Sequence, residues 1–355
     1  LKPELLAYYT GNVRSLFSGR AADPAICANA SSGGIVTGLF AGMLARGDID
    51  AALVWQLEIQ NGAMRAVPVF ARNAEELRRA QDSIYFAFPP LETGLLRRIR
   101  AFEGRLAVVG LPCTVRALRR MMEKEPELKE KIVLLVGLFC GHTSRPEQIE
   151  TVLAKKGVVP SQLNAFRFRR GLWRGEAEAV MADGTRRSWP TASYKLYQNL
   201  FIQCHAPCLS CFDHFAEEAD LSCGDIWMKK HRNDKVKHSV VAGRTGAGIA
   251  ALEAAREAGD LLLQPEPPEL LFDSNRRAAV FHKAVRARSL VGRWVGLRIP
   301  EPESARPARW NELLAAMMIV PLYRFSIGRH GKILYRLPRI VLKGWLYGFK
   351  ALTNF

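Results

Sequence analysis

The sequence predicts an α/β protein: a largely parallel or mixed sheet flanked by helices, with an antiparallel hairpin insertion and a basic helical C-terminal tail. Three observations carry that expectation. Near-continuous apolar stretches alternate with helical ones, at Arg105 to Gly110, Thr114 to Met122, Lys131 to Phe139 and Pro146 to Lys156, and strands buried on both faces read this way. A turn at Asp183-Gly184 joins two alternating stretches, the pattern of a hairpin. The composition of the 355 residues, 48% hydrophobic and 24% charged, excludes global disorder and leaves room for two domains or one large one.

The elements follow in order. Val13 to Ala21 is a short first strand with a turn at Gly19-Arg20. After Ala30-Ser31-Ser32-Gly33-Gly34, apolar residues at Ile35, Val36, Leu39, Phe40, Met43 and Leu44 fit one helical face, with Ser31 or Ser32 as its cap and Gly47 as its end. Two serines and two glycines at a helix start also suit a phosphate, because small residues let it approach free backbone N–H groups. A plain capped helix accounts for the same residues. Asp50 to Glu58 is a strand and Asn73 to Gln81 a short polar helix. Ser83 to Phe88 belongs in or near the core, where Tyr85 either packs or stacks on a cofactor ring. A helix over Leu91 to Phe102 leads to the strand-helix units, whose strands end at Leu111-Pro112-Cys113 and Cys140-Gly141-His142, with Ser144 capping the helix that follows. Ligands gather at the carboxyl ends of such strands. Phe166 to Arg174 leads into the hairpin, Gly175 to Met181 and back through Ser188. Ser239 to Gly243 is a strand, Thr245 opens a helix to Ala258, and Leu261 to Leu263 is strand again.

The seven cysteines are Cys27, Cys113, Cys140, Cys204, Cys208, Cys211 and Cys223. An odd number, unevenly spread and without a signal peptide at the start, points to a reducing cytoplasmic compartment rather than a disulfide framework. Cys208-Leu-Ser-Cys211 sets two thiolates on one side of a turn, half of a four-sulfur site. Cys113 and Cys140, at strand ends, are placed to supply the other half. Four thiolates satisfy zinc as well as an iron–sulfur cluster.

Charge narrows the partners without choosing one. Lys and Arg number 51 against 34 acidic residues, for a net +17. That favours an anionic partner: nucleic acid, an acidic membrane surface or a phosphorylated cofactor. The cations are dispersed and form no recognised nucleic-acid motif, so nucleic acid is the less favoured. A basic nucleic-acid- or membrane-binding protein with a structural four-cysteine zinc site stands as the rival reading. No apolar run reaches the roughly 18 residues of a spanning helix. From Leu313 to Phe355 seven basic residues occur and no acidic one, and Leu334 to Leu352 mixes aromatics, leucines and cations. Such a segment lies on an anionic membrane, or packs against its own domain or a partner subunit.

Five stretches together resemble the coenzyme F420 hydrogenase/dehydrogenase beta-subunit family, which includes the plant 7-hydroxymethyl chlorophyll a reductases: Ser31-Ser-Gly-Gly34, Gly110-Leu-Pro-Cys113, Phe139-Cys-Gly-His142, Phe168-Arg-Arg-Gly171-x-Trp173, and Cys208-x-x-Cys211 followed by Ala219-Asp-Leu-Ser-Cys-Gly-Asp225-x-Trp227. They run in the family's order over about residues 12 to 265. The resemblance implies a flavoprotein with FAD and one 4Fe-4S cluster that moves electrons between a reduced carrier, coenzyme F420 or ferredoxin, and an organic acceptor. By position it makes Cys113, Cys140, Cys208 and Cys211 the cluster ligands, with Cys204 an alternative to one of them, Cys223 a non-ligand and Cys27 a buried small residue. The flavin pyrophosphate would lie near Ser31, Ser32, Gly33, Gly34 and Thr37, aided by the Thr245 to Gly248 turn, with Tyr85 near the ring. His142 either protonates substrate or fixes the site by hydrogen bonding. The implied division is a flavin-binding part over 1–95, an iron–sulfur part over 96–265 and the tail over 266–355. Many relatives carry an N-terminal ferredoxin module with its own C-x-x-C-x-x-C run, and this chain does not. It belongs to a single-cluster branch or has lost the module ahead of Leu1. A partner subunit or a homo-oligomer, and a peripheral position on the inner face of a membrane through 313–355, complete the expectation.

Overall fold

The computed structural model describes residues 1–353 apart from 90, 173, 229, 230 and 232, and of residue 93 the backbone. Trp173 of the quoted motif therefore lies outside the described residues. The strands are β1 Ser15–Ala21, β2 Ala51–Gln60, β3 Ala63–Ala71, β4 Leu106–Gly110, β5 Ile132–Leu138, β6 Leu163–Arg170, β7 Glu176–Met181, β8 Arg186–Pro190, β9 Leu221–Asp225, β10 Ser239–Gly243 and β11 Leu261–Pro265. Eight of them form one mixed sheet in the order β11-β1-β10-β9-β5-β4-β2-β3, and β6-β7-β8 form a second, antiparallel sheet. The centre, β2-β4-β5-β9, is parallel. Its flanks are antiparallel.

Both faces of the large sheet are covered, which is why its central strands are apolar throughout. Ala52, Val54, Ala107, Val109, Leu134 and Val136 pack with Ile35, Leu39 and Phe40 of the helix Ile35–Arg46. Their neighbours Leu53, Leu106, Val108 and Leu135 pack with Leu95, Ile99 and Leu118 on the opposite side. Alternate residues of each strand thus serve opposite faces.

The fold class agrees with the sequence; several details differ. β3 was not anticipated. It pairs with β2 through Asn61-Gly62, both in the left-handed region (φ 50° and 76°), an Asn-Gly hairpin turn. Pro68 inside β3 is tolerated because the strand is at the sheet edge. The expected hairpin gains β6 as a third strand and is a separate sheet rather than an extension of the large one. Gly19-Arg20 lies inside β1. Gly34, not Ser31 or Ser32, is the N-cap residue of Ile35–Arg46, and no side chain caps it. Ser144 likewise does not cap Pro146–Lys155.

The tail is built into the protein. Its helices Glu269–Lys283, Val285–Trp294, Trp310–Ser326 and Arg339–Leu352 contribute Phe281, Val285, Ile319, Val320, Leu342 and Leu346 to the core around the second sheet, with Trp189 and Leu196. Packing against its own domain accounts for the inner faces of these helices. Among the described residues no helix is long and apolar enough to cross a membrane.

Candidate functional site

The loop after Cys140 and the C-x-x-C turn are joined by a short ladder. Backbone N–H of His205 donates to the Thr143 carbonyl at 2.9 Å and that of Arg145 to the Gln203 carbonyl at 2.8 Å. Ser144 pairs on its other side with Phe86, whose neighbour Ala87 donates to the Ser144 carbonyl at 2.7 Å. Three distant segments, around residues 86, 144 and 204, thereby become neighbours. Cys140 follows β5 directly. Cys113 sits in the first turn of the helix Pro112–Met122, just past β4. Cys208 and Cys211 lie in and just after the 3-10 turn Ala206–Ser210.

The four thiols are close enough to repel one another as thiolates. Cys113 is an exposed residue, yet partial loss of solvent around its thiol raises it, and Cys208 adds to the rise. Burial pushes Cys140 well up, followed by Cys208, Cys211 and Cys113. Burial pushes Cys211 to about 11, with Cys208 and Cys113 contributing. Cys208 is the exception: hydrogen bonds, foremost from the Cys204 thiol, hold it at about 4 in spite of burial. Cys204 is thus a fifth thiol of the group, buried and donating to the His205 carbonyl at 3.3 Å. Cys223 faces the core from β9, and Cys27 is buried in the helix Pro24–Asn29. Among the described residues, no three His, Cys, Asp or Glu side chains stand at the spacing that grips a single ion.

The loop and the turn that carry these thiols are held by their carbonyls. His214 Nδ1 bonds the Cys140 carbonyl at 3.0 Å, His282 Nε2 the Gly141 carbonyl at 2.7 Å, and Gln198 Nε2 donates to the His142 carbonyl at 3.2 Å. His142 Nε2 bonds the Gln198 carbonyl at 2.7 Å, and its ring stacks on Phe201 at 4.0 Å. Burial keeps all three imidazoles below the usual histidine range. Arg288 reaches the C-x-x-C turn from the tail helix Val285–Trp294. Its guanidinium donates to the carbonyls of Leu209 (2.7 Å), Cys211 (3.0 Å), His282 (3.4 Å) and Phe281. It is 1% exposed. Burial lowers it to about 10, while the Cys211 and Cys204 sulfurs favour its charge.

A small cleft opens near this group, lined by Ser32, Arg169, Asp225, Trp227, Lys237 and His238 among others. Arg169 Nη1 lies 2.8 Å from both Asp225 carboxylate oxygens, and its guanidinium sits 4.9 Å over the Trp227 ring. Asp234 Oδ2 is 2.7 Å from His231 Nδ1 on the same wall. Lys195 stands between the cleft and the thiols: its ammonium is 3.4 Å above the centre of Tyr85, and it feels the charges of Arg169, Asp225 and Cys140. Tyr85 also lies edge-on to Phe168 at 5.4 Å.

Of the residues expected to hold a flavin pyrophosphate, Ser32 lines the cleft. Its hydroxyl donates to the His238 carbonyl at 3.0 Å, and that of Ser31 to the Arg169 carbonyl at 3.4 Å. Gly33 is required by packing: a Cβ there would lie 2.5 Å from the Gly19 carbonyl oxygen and 2.8 Å from Ser239 N. Gly34 has φ 76°, which glycine adopts freely. Thr37 is half-buried one turn into its helix, and Thr245 accepts from Gly248 N as the cap of Gly246–Glu257. Sequence reasoning quoted Arg169 and Asp225 inside motifs without giving them a role, and gave Lys195, Lys237, His238 and Arg288 no place at all. A buried Arg–Asp pair drawn from two motifs was the available signal. For Arg288 there was none.

The cleft offers donors suited to an anionic ligand, and the thiols are of the type that binds a soft metal centre. Arg169, Lys237, His231 and His238 offer cations and N–H donors along one cleft. Four crowded thiols beside a buried arginine need a strongly cationic centre before all can ionise.

The family described as coenzyme F420 hydrogenase/dehydrogenase, beta subunit, matches in two parts, its N-terminal part at residues 16–93 and its C-terminal part at residues 103–269. The chain is 25% identical over 249 residues to the coenzyme F420-dependent sulfite reductase of Methanocaldococcus jannaschii, a match covering 63% of this chain and 37% of that protein. It is 26% identical to one of the subunits of the F(420)H(2) dehydrogenase of Methanosarcina mazei, over 72% of this chain and 67% of the relative. It is 27% identical to the beta subunit of the coenzyme F420 hydrogenase of Methanothermobacter thermautotrophicus, over 72% and 85%. In the solved structure of the F420-reducing NiFe hydrogenase complex from Methanosarcina barkeri, one chain superposes with a TM-score of 0.62 at 21% identity, covering 83% of this chain and 98% of that one. At that identity the likeness is one of fold.

Proposed function

Since the chain belongs to the coenzyme F420 hydrogenase/dehydrogenase beta-subunit family, we propose that it is an iron–sulfur flavoprotein oxidoreductase. It passes electrons between a reduced carrier, coenzyme F420 or ferredoxin, and an organic acceptor, using FAD and one 4Fe-4S cluster, and it works with a partner subunit, as the naming of its relatives as subunits suggests. The observation that supports this reading is the convergence of Cys113, Cys140, Cys208 and Cys211 from three separate segments beside a cation-lined cleft. When bound, a flavin exchanges electron pairs with its carrier and a cluster takes electrons singly, so the two together convert one mode into the other.

The protein's own groups have distinct tasks. The four thiolates hold the cluster, and Arg288 fixes the turn that carries two of them while offsetting their charge. Cys204 lies beside Cys208 as a neighbouring thiol whose S–H is directed to the His205 carbonyl. Arg169, braced by Asp225, holds the anionic end of the dinucleotide with Ser32 and Lys237. Tyr85 and Lys195 stand between the cleft and the thiols, where a cation stabilises added electrons. His142 acts as a positioning residue, because its Nε2 is committed to Gln198.

The rival is a structural zinc. Four cysteine thiolates satisfy a tetrahedral zinc as well as a cluster, so metal content is what separates the two. Anaerobic purification with a visible spectrum and quantitation of iron, zinc and flavin decides between them, followed by reduction trials with reduced deazaflavin, ferredoxin and nicotinamide donors. The proposal expects a brown protein with iron and flavin that one of the first two donors bleaches. A colourless, zinc-loaded protein without flavin would overturn it.

A further inference from the structure

The tail helix Arg339–Leu352 is apolar on two opposite sides. Its inner face, Leu342, Leu346 and Phe349, is buried in the core. On the outer face Ile340 is 79% exposed and Tyr347 65% exposed. Ile340, Lys343, Gly344 and Tyr347 stand at i, i+3, i+4 and i+7, one stripe pointing away from the protein. Val341 and Trp345 flank that stripe at 51% and 45% exposure, Trp345 with its Nε1 donating to the Met318 carbonyl at 3.1 Å. Large apolar side chains left exposed on the outer face of a helix whose inner face is already packed mark a surface that something else covers.

Charge says what covers it. Lys332, Arg336, Arg339 and Lys343 stand on and just before the helix, and no acidic residue occurs from Leu313 to the end of the chain. A protein partner with mixed charge would meet no acidic rim here. A lipid surface rich in anionic headgroups would meet cations at every approach, aromatic rings at the depth where Trp and Tyr settle, and lysine stems that lie along apolar surface with their ammonium groups outward. No described helix is long and apolar enough to span, so the helix lies in the plane of the interface.

We propose that the outer face of Arg339–Leu352 docks this protein on the anionic headgroups of a bilayer, anchored by Ile340 and Tyr347 and steered by the flanking cations. The inference does not rest on the redox reading, and neither falls with the other.

Co-sedimentation of the full chain with sonicated vesicles tests it, using phosphatidylcholine alone and phosphatidylcholine with a third phosphatidylglycerol. The expected result is binding to the mixed vesicles at least about tenfold tighter than to the neutral ones, weakening as salt rises. The double variant Ile340→Ser/Tyr347→Ser, whose positions lie outside the core, lowers binding at least about tenfold with an unchanged circular dichroism spectrum. The charge variant Arg339→Glu/Lys343→Glu removes the preference for phosphatidylglycerol. Failure to bind either vesicle, equal binding to both, or full binding by either variant would overturn the proposal. So would a dimer that dissociates in the Ile340→Ser/Tyr347→Ser variant without any vesicle binding, since a second copy would then be the occupant.

Discussion

A single arginine carries much of the site's construction. Arg288 donates to the carbonyl of Cys211, 77 residues earlier in the chain. It is buried, and among the described residues it forms no ion pair with a carboxylate. Arg288→Met leaves the Leu209 and Cys211 carbonyls without this donor, a loss on the order of 2–4 kcal/mol. Denaturant unfolding should show that loss, and iron per chain should fall well below the parent value, with Arg288→Lys intermediate. Equal iron and equal midpoints in all three proteins would contradict this role. Asp82 gives a pH signature instead. Burial raises it from 3.8 to about 6, against the pull of Ser83 N–H and Arg167. The unfolded chain therefore releases this proton first as pH rises, and between about pH 4 and pH 6 the group lowers stability by on the order of 3 kcal/mol. Thermal unfolding across that window should show a shallower decline for Asp82→Asn than for the parent; parallel curves would rule the effect out. At this scale the sequence singled out the cysteines, through the C-x-x-C spacing and the family resemblance. Arg288, Lys195 and Lys237 were not legible, because a cation's role depends on what folds against it.

The elements tell a similar story. β4, β5 and β10 and the helices after them were legible because burial on both faces imposes unbroken apolar runs. β9 was hidden: Leu-Ser-Cys-Gly-Asp offers one large apolar residue, and its strand character comes from pairing between β5 and β10. The helix Ala192–Asn199, which carries Lys195 and Gln198, has too little apolar periodicity to announce itself. β3 did leave a signal in Asn61-Gly62, masked by Pro68. The loop Cys140-Gly141-His142 shows how elements cooperate, since its three carbonyls are taken by groups from three other segments. Replacing His282 by Phe removes the partner of the Gly141 carbonyl in the exposed loop, at a cost of about 1 kcal/mol. Amide exchange around residues 140–142 should quicken, and iron should leave faster under chelator. Unchanged exchange would mean the loop is held by something else.

On the scale of the whole molecule the site is a product of convergence. Residues from the ends of β4 and β5, the turn after residue 205 and the tail meet at one end of the parallel strands, where α/β sheets collect ligands. The tail is therefore part of the redox proposal, although the family match stops at residue 269. A chain ending at Pro265 loses Arg288, His282 and the inner faces of four helices, and should be poorly soluble and free of iron; a folded, iron-bearing truncation would contradict that integration. The central claim is that Cys113, Cys140, Cys208 and Cys211 share one cluster. Iron per chain in anaerobically purified single Cys→Ser variants tests it most directly. The account predicts about four irons in the parent, a loss of most iron in each of those four, and near-parent iron in Cys204→Ser and Cys223→Ser. Full iron in any of the four, or its loss in Cys204→Ser alone, would contradict the assignment.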